Sequence, residues 1–328
     1  MAHSRQSPPP SRPMTSTALV IGEALVDIVE RTDGTTSAHP GGSPANVALG
    51  LARLGRRVDL LTSLGDDAHG RLVRDHVETA GVNLVPGPPA PRTSVATATL
   101  DDTGAANYRF DLEWDLAATP APSEHACVVH TGSIAAVLEP GAQQVHALIS
   151  AARTHATVTY DPNARPALMG DPATARRRIE EFVALADVVK VSDEDIAWLA
   201  PGEEILEVAA AWRMRGPALV VVTRGAEGAI AFADCGIVTV SPAPVAVVDT
   251  VGAGDSFMSG LIDGLWDAGL LGADQRPALG DISADVLREV LERCARIAGI
   301  TVSRAGANPP TRDELGEAAS APTERADS

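Results

Sequence analysis

The chain has 328 residues, room for one large α/β domain with a small accessory element or for two modest domains. Apolar residues make up 45%, which excludes a disordered or fibrous chain; with four Phe, four Trp and two Tyr, alanine and valine must do most of the packing. Lysine and arginine number 26 against 43 acidic residues, a net charge of −17, and a surface of that sign repels phosphate backbones and anionic headgroups, arguing against nucleic-acid and membrane partners.

Residues 1–16 are rich in Pro and Ser and hold no apolar stretch, so a disordered tail is expected and no secretory segment. Short β-branched runs then predict strands at 18–21, 58–61, 127–130, 157–160, 188–191 and 219–223. Amphipathic runs predict helices at 45–54, 69–79, 143–154, 174–185 and 205–214. Strand and helix alternating in this way predict a parallel sheet covered on both faces, with ligands beyond the carboxyl ends of its strands. One region breaks the rhythm: 93–100 and 107–111 are extended segments around Asp101-Asp102-Thr103-Gly104, a predicted hairpin at a sheet edge or over a site. Residues 315–328 are expected to fray, which leaves one folded domain over 17–314. No run of about 18 apolar residues suggests a membrane span. Cys127, Cys235 and Cys294 stand far apart with no Cys-x-x-Cys pair, and the eight His show no ligand spacing. Buried reduced thiols in a cytoplasmic protein are expected, with neither a disulfide framework nor a zinc site.

The strongest motif is Asp249-Thr250-Val251-Gly252-Ala253-Gly254-Asp255-Ser256, an apolar run, a turn of small residues and then an amphipathic helix. A glycine turn at a helix start exposes unpaired N–H groups at the positive end of the helix dipole and binds anions. Asp255 either caps this helix or waits beside a phosphate as a proton acceptor. A P-loop is excluded because the single lysine, Lys190, follows Val189, and no Gly-x-Gly-x-x-Gly follows a strand. Met258 likewise breaks a Gly-x-Ser-x-Gly elbow. A second motif, Gly41-Gly42-Ser43-Pro44-Ala45-Asn46, runs into a helix. Its glycines allow close approach to backbone, and Asn46 offers the donor and acceptor that suit sugar hydroxyls, or is simply an N-terminal helix residue. Asp27, leaving the first strand, is placed to accept from two hydroxyls of a polyol.

Gly-Gly-x-x-x-Asn, then Gly55 and Gly65 ten apart, and Asp-Thr-x-Gly-Ala-Gly-Asp together resemble the ribokinase-like (PfkB) family of sugar kinases, from about residue 18 to 314. Val251 departs from the Thr that many members carry. The resemblance implies a three-layer α/β/α sandwich with a central, mostly parallel sheet and a small β lid from about 23–37 and 93–115. It implies ATP and Mg²⁺ as cofactors, Asp255 as general base, and Gly252, Ala253 and Gly254 as an anion hole. Asp27, Gly42 and Asn46 would hold the sugar, with Tyr108, Arg109 and Arg165 beside it. Asn163, Lys190, Ser192, Thr223, Gly225, Gly228 and Asn308 would border the nucleotide. Lys190 as a solvated surface residue is the competing reading, and Gly228 as a turn residue another. A K⁺ ion would sit on Asp249, the Val251 carbonyl and groups around 303–307, and two copies would pair through the lid.

Gly22-Glu23-x-Leu25-x-Asp27 and Asp161-x-Asn163-x-Arg165-Pro166 most resemble the fructokinase branch, which overlaps with 2-keto-3-deoxygluconate kinases. A sugar acid needs cations for its carboxylate, with Arg109 and Arg165 as candidates. A neutral ketose needs no second cation. From a different class, a catalytically silent sugar or nucleotide sensor also fits the fold, although neither Asp255 nor the glycine turn is substituted.

Overall fold

The computed structural model describes residues 16–85, 87–100, 106–117 and 125–320. Residues 1–15 of the tail expected at 1–16, the turn at 101–104 and residues 321–328 of the tail expected at 315–328 lie outside the described residues. Nine strands form the main sheet, in the order β13-β12-β11-β10-β9-β8-β1-β4-β5. They are β1 (Thr17–Ile21), β4 (Val58–Leu61), β5 (Val82–Val85), β8 (Ala126–Gly132), β9 (Thr157–Asp161), β10 (Val188–Ser192), β11 (Leu219–Thr223), β12 (Ala229–Ala233) and β13 (Gly236–Val240). All neighbours run parallel except at β11–β12 and β12–β13. A second sheet, in the order β3-β2-β6-β7, comprises β2 (Leu25–Glu30), β3 (Thr36–Gly41), β6 (Val95–Leu100) and β7 (Ala106–Asp111).

Side chains alternate across the main sheet, as the period of a strand dictates. Val20, Leu60, Val188 and Val221 face the helices Ser43–Arg53, Ala253–Asp267 and Ala284–Val302. Ile21, Leu61, Val189 and Val222 face the helices Gly141–Ala152, Pro172–Leu185, Asp193–Leu199 and Ile205–Arg213. The result is the expected α/β/α sandwich. Strands buried on both faces read as continuous Val-rich runs, which is why β10 and β11 were plain in the sequence. On the helix Ala253–Asp267, Met258, Leu261, Ile262 and Leu265 are fully buried, each worth ~1.5–3 kcal/mol.

The six expected strands are β1, β4, β8, β9, β10 and β11, to within two residues at either end. The hairpin is β6 paired antiparallel with β7. Strand β3, Thr-Ser-Ala-His-Pro-Gly, escaped the pattern because Pro and Gly dilute its β character. It carries the small sheet to Gly41, past the expected limit at 37, so the Gly-Gly motif is the seam between sheet and helix. The helix Arg312–Ser320 crosses the boundary drawn at 314. Cys235 is exposed, a correction to the expectation of three buried thiols; Cys294 is buried and Cys127 half-buried, and all three are free. Among the described residues, no helix is long and apolar enough to cross a membrane.

One ion cluster locks the helix Ala253–Asp267 in place. The fully buried Asp263 accepts from Arg56 and Arg312, each at 2.6 Å, and also from Arg293; Asp267 shares the same three guanidinium groups. These arginines come from three separate parts of the chain. Asp263→Asn leaves them without their buried anion, and the expected loss is ~3 kcal/mol. Urea unfolding at fixed ionic strength measures it, and a loss below about 1 kcal/mol would mean that Asp267 alone suffices.

Candidate active site

The two glycine motifs meet at the carboxyl ends of the parallel strands. Gly252 precedes the helix Ala253–Asp267 with φ +75°, and no side chain caps that N-terminus. Asp255, the third helical residue, is therefore not the N-cap, which removes the capping alternative. Its side chain, 8% exposed, points at the neighbouring helix instead. Ser43 Oγ donates to Oδ1 at 2.6 Å, and Asn46 Nδ2 donates to Oδ2 at 2.8 Å. The helices can approach this closely because Gly50 lies against Ser259, where a Cβ would fall 2.4 Å from its Oγ.

The turn 252–254 is half-exposed and wedged between two walls. A Cβ on Gly252 would lie 2.6 Å from that of Ala307, and one on Gly254 would lie 2.8 Å from Lys190 Nζ. Ala253 N–H donates to the Thr250 carbonyl at 3.2 Å, so this member of the expected anion hole is already engaged within the turn. Gly42, with φ +104°, stands where a Cβ would meet the Glu23 carbonyl at 2.4 Å. Its close approach is thus to the chain's own backbone.

Lys190 is 3% exposed, which overturns the solvated-surface alternative. Its Nζ donates to Asp161 Oδ2 at 3.0 Å. Burial pushes its pKa down, but Asp161, Asp195 and Asp255 more than offset this and hold it above the ordinary lysine value. Asp161 is pushed up to about 6 by burial, against the pull of Lys190. Asp195 accepts from Ala164 N at 2.9 Å and Ser192 N at 3.2 Å, tying the loop after β9 to the end of β10. Asn163, with φ +37°, is held by its N–H to Asp161 Oδ1 at 3.2 Å. Ser192 and Thr223 sit side by side in register. Gly225 has open space above it, whereas Gly228, with φ +82°, closes the turn from β11 to β12, where a Cβ would strike the Val240 carbonyl at 2.1 Å. Asn308, half-buried after the loop 303–307, accepts from Arg53 at 2.5 Å. Asp249 accepts from Val251 N at 3.0 Å and Gly306 N at 2.8 Å, which holds its pKa below the ordinary range and brings the turn beside the loop 303–307.

On the small sheet, register sorts the remaining candidates. Asp27 pairs with His39 and Ala96, and Ala96 pairs with Phe110, so these share one face, as does Tyr108 two residues from Phe110. Arg165 acts electrostatically on Asp27, whose pKa is raised by crowding of protein around it and eased down by Arg165 and His39. Arg109 pairs with Thr97 and lies on the opposite face. Arg165 Nη1 donates to the Asn163 side chain at 2.7 Å.

Two residues outside the expected set complete the site. Ser43 occupies a variable position of the Gly-Gly-x-x-x-Asn motif, and nothing in the spacing announced it. Glu23, 5% exposed between β1 and β2, accepts from Ala135 N at 3.2 Å. Burial raises its pKa to about 7 from an ordinary 4.5. The folded state thus binds a proton that the unfolded state has released, so Glu23 costs stability progressively as pH rises from 4.5 through about 7. Glu23→Gln is expected to be the more stable protein at pH 8, by roughly 3 kcal/mol, and to lose the advantage near pH 4.5. Equal unfolding free energies at both pH values would show that Glu23 is not proton-linked.

The sequence pattern of the "pfkB family carbohydrate kinase" matches residues 15–314. A fructokinase of Klebsiella pneumoniae is 37% identical over 256 residues, 75% of this chain and 83% of that protein. A fructokinase of Escherichia coli is 32% identical over 314 residues, 92% and 99% of the two chains. Among solved structures, a fructokinase from Vibrio cholerae O395 in its fructose, ADP and calcium ion bound form superposes with a TM-score of 0.76 at 26% identity, covering 93% of this chain and 99% of that one. The chain belongs to the pfkB family of carbohydrate kinases and is an ATP-dependent sugar phosphotransferase.

Proposed function

We propose that the enzyme phosphorylates the primary hydroxyl of a small ketose, fructose to fructose 6-phosphate. The observation that carries this reading is the Asp255 carboxylate, held by Asn46 of one motif at the mouth of the glycine turn of the other. Its Oδ2 edge takes the hydroxyl proton, the sugar oxygen attacks the γ-phosphorus of ATP in line, and the bond to ADP breaks. The N–H groups of Gly252 and Gly254 receive the charge of the moving group, with Lys190 behind Gly254 adding a buried cation. A positioned base contributes ~10²–10⁴-fold.

Asp27, Gly42 and Asn46 would hold sugar hydroxyls under the small sheet, with Tyr108 and Phe110 on the face that Asp27 shares. Asn163, Ser192, Thr223 and Gly225 lie along neighbouring strand ends, where the nucleotide would run. One ammonium among Asp161, Asp195 and Asp255 leaves this corner formally negative, so triphosphate needs Mg²⁺ to enter it. Asp249, anionic beside the 303–307 loop, fits a K⁺ site, where the ion would offset charge next to the turn. Pairing of two copies through the small sheet belongs to the same proposal.

A neutral ketose is favoured over a sugar acid by one geometric fact: Arg109 lies on the opposite face of the small sheet from Asp27 and so does not join Arg165 in clamping a carboxylate. The fructokinase relatives point the same way. An ADP-release assay with fructose, 2-keto-3-deoxygluconate, ribose and adenosine is expected to give fructose the highest kcat/KM, by ~10-fold or more over the sugar acid. A sugar-acid preference would overturn the substrate, and silence on all four in the presence of K⁺ would favour the sensor. Asp255→Asn is expected to retain the fold and ATP binding while kcat falls ~10²-fold or more.

A further inference from the structure

The two oxygens of Asp255 are not equivalent. Oδ2 meets the amide of Asn46, a half-buried side chain on the cleft side, whereas Oδ1 meets the hydroxyl of Ser43, which is only 6% exposed. Ser43 is the first residue of the helix Ser43–Arg53, so its position is set by the Gly41-Gly42 seam and by Pro44 behind it. A hydroxyl donating to a charged acceptor at 2.6 Å is a strong bond, about twice a neutral one. It fixes the carboxylate's rotation about its last torsion, which is otherwise broad.

We propose that Ser43 is a positioning residue for phosphoryl transfer: it pins Asp255 through Oδ1, so that Oδ2 alone is presented to the sugar hydroxyl. The donor from Asn46 is exchangeable. When a sugar hydroxyl arrives at Oδ2, the Asn46 amide can turn to the sugar, while the Ser43 bond persists on the buried side. The serine thus keeps the base aimed through the exchange. This inference rests on the reading of Asp255 as the base.

The test compares Ser43→Ala, which removes the donor, with Ser43→Cys, which keeps a weak one at similar size. For Ser43→Ala, kcat is expected to fall ~10–100-fold while KM for ATP and sugar stays within about twofold. Loss of a donor to the carboxylate is also expected to move the acid limb of its pH–rate profile to higher pH, with Ser43→Cys between it and the wild type. Wild-type kcat and an unmoved acid limb in Ser43→Ala would overturn the proposal. So would a loss of kcat in both variants that merely follows their melting temperatures. Asp255→Asn serves as the reference: if it keeps wild-type kcat, the reading of the base fails, whereas if it is inactive and Ser43→Ala is normal, only the role of Ser43 fails.

Discussion

A carboxylate at the tip of a buried helix serves as a base only if something keeps it charged and aimed while excluding most of its water. Here that support comes from a second helix, through Ser43 and Asn46, and the rest of the domain can be read as what brings the two helices together. Gly50 against Ser259 sets their separation. The arginine cluster on Asp263 holds the far end of the same helix, some eight residues from the carboxylate. Both helices lie on one face of the main sheet, so the strands fix their spacing and the loops at the strand ends supply everything else.

Charge is distributed with the same economy. Lys190 and its ring of Asp161, Asp195 and Asp255 place a permanent cation behind a turn whose own backbone already favours anions. Two of those acids have structural partners: Asp195 braces two loops through backbone N–H groups, and Asp161 bonds Lys190 itself. Of the three, Asp255 is held by side chains alone, Ser43 on its buried side and Asn46, which is exchangeable, on the other. A site of this kind is rigid where it binds phosphate and adaptable where it meets the sugar.

Much of this was legible in the sequence, for identifiable reasons. The Val-rich runs of β10 and β11 and the glycine-turn motif are local signals, and each fell where expected. Strand β3 was missed because Pro40 and Gly41 mask its period, and its pairing with β2 is what makes it a strand. Ser43 and Glu23 were missed as site residues because their importance comes from partners 212 and 112 residues away. The face on which Arg109 lies is likewise a matter of register, which spacing within one segment does not show. Lys190 was noticed for its rarity, and burial then supplied the meaning that composition lacked.

That rarity has a practical side. Lys190 is the single lysine of the chain, and its ε-amine is 3% exposed and occupied by Asp161. Reagents and modifying enzymes that seek lysine, whether acetyl donors, amine-coupling dyes or amine cross-linkers, find no accessible lysine on the folded chain. The exposed thiol of Cys235 offers a side chain for surface labelling instead. Amine reactivity of Lys190 in turn becomes a gauge of unfolding, because the group reacts only when the sheet that buries it has opened.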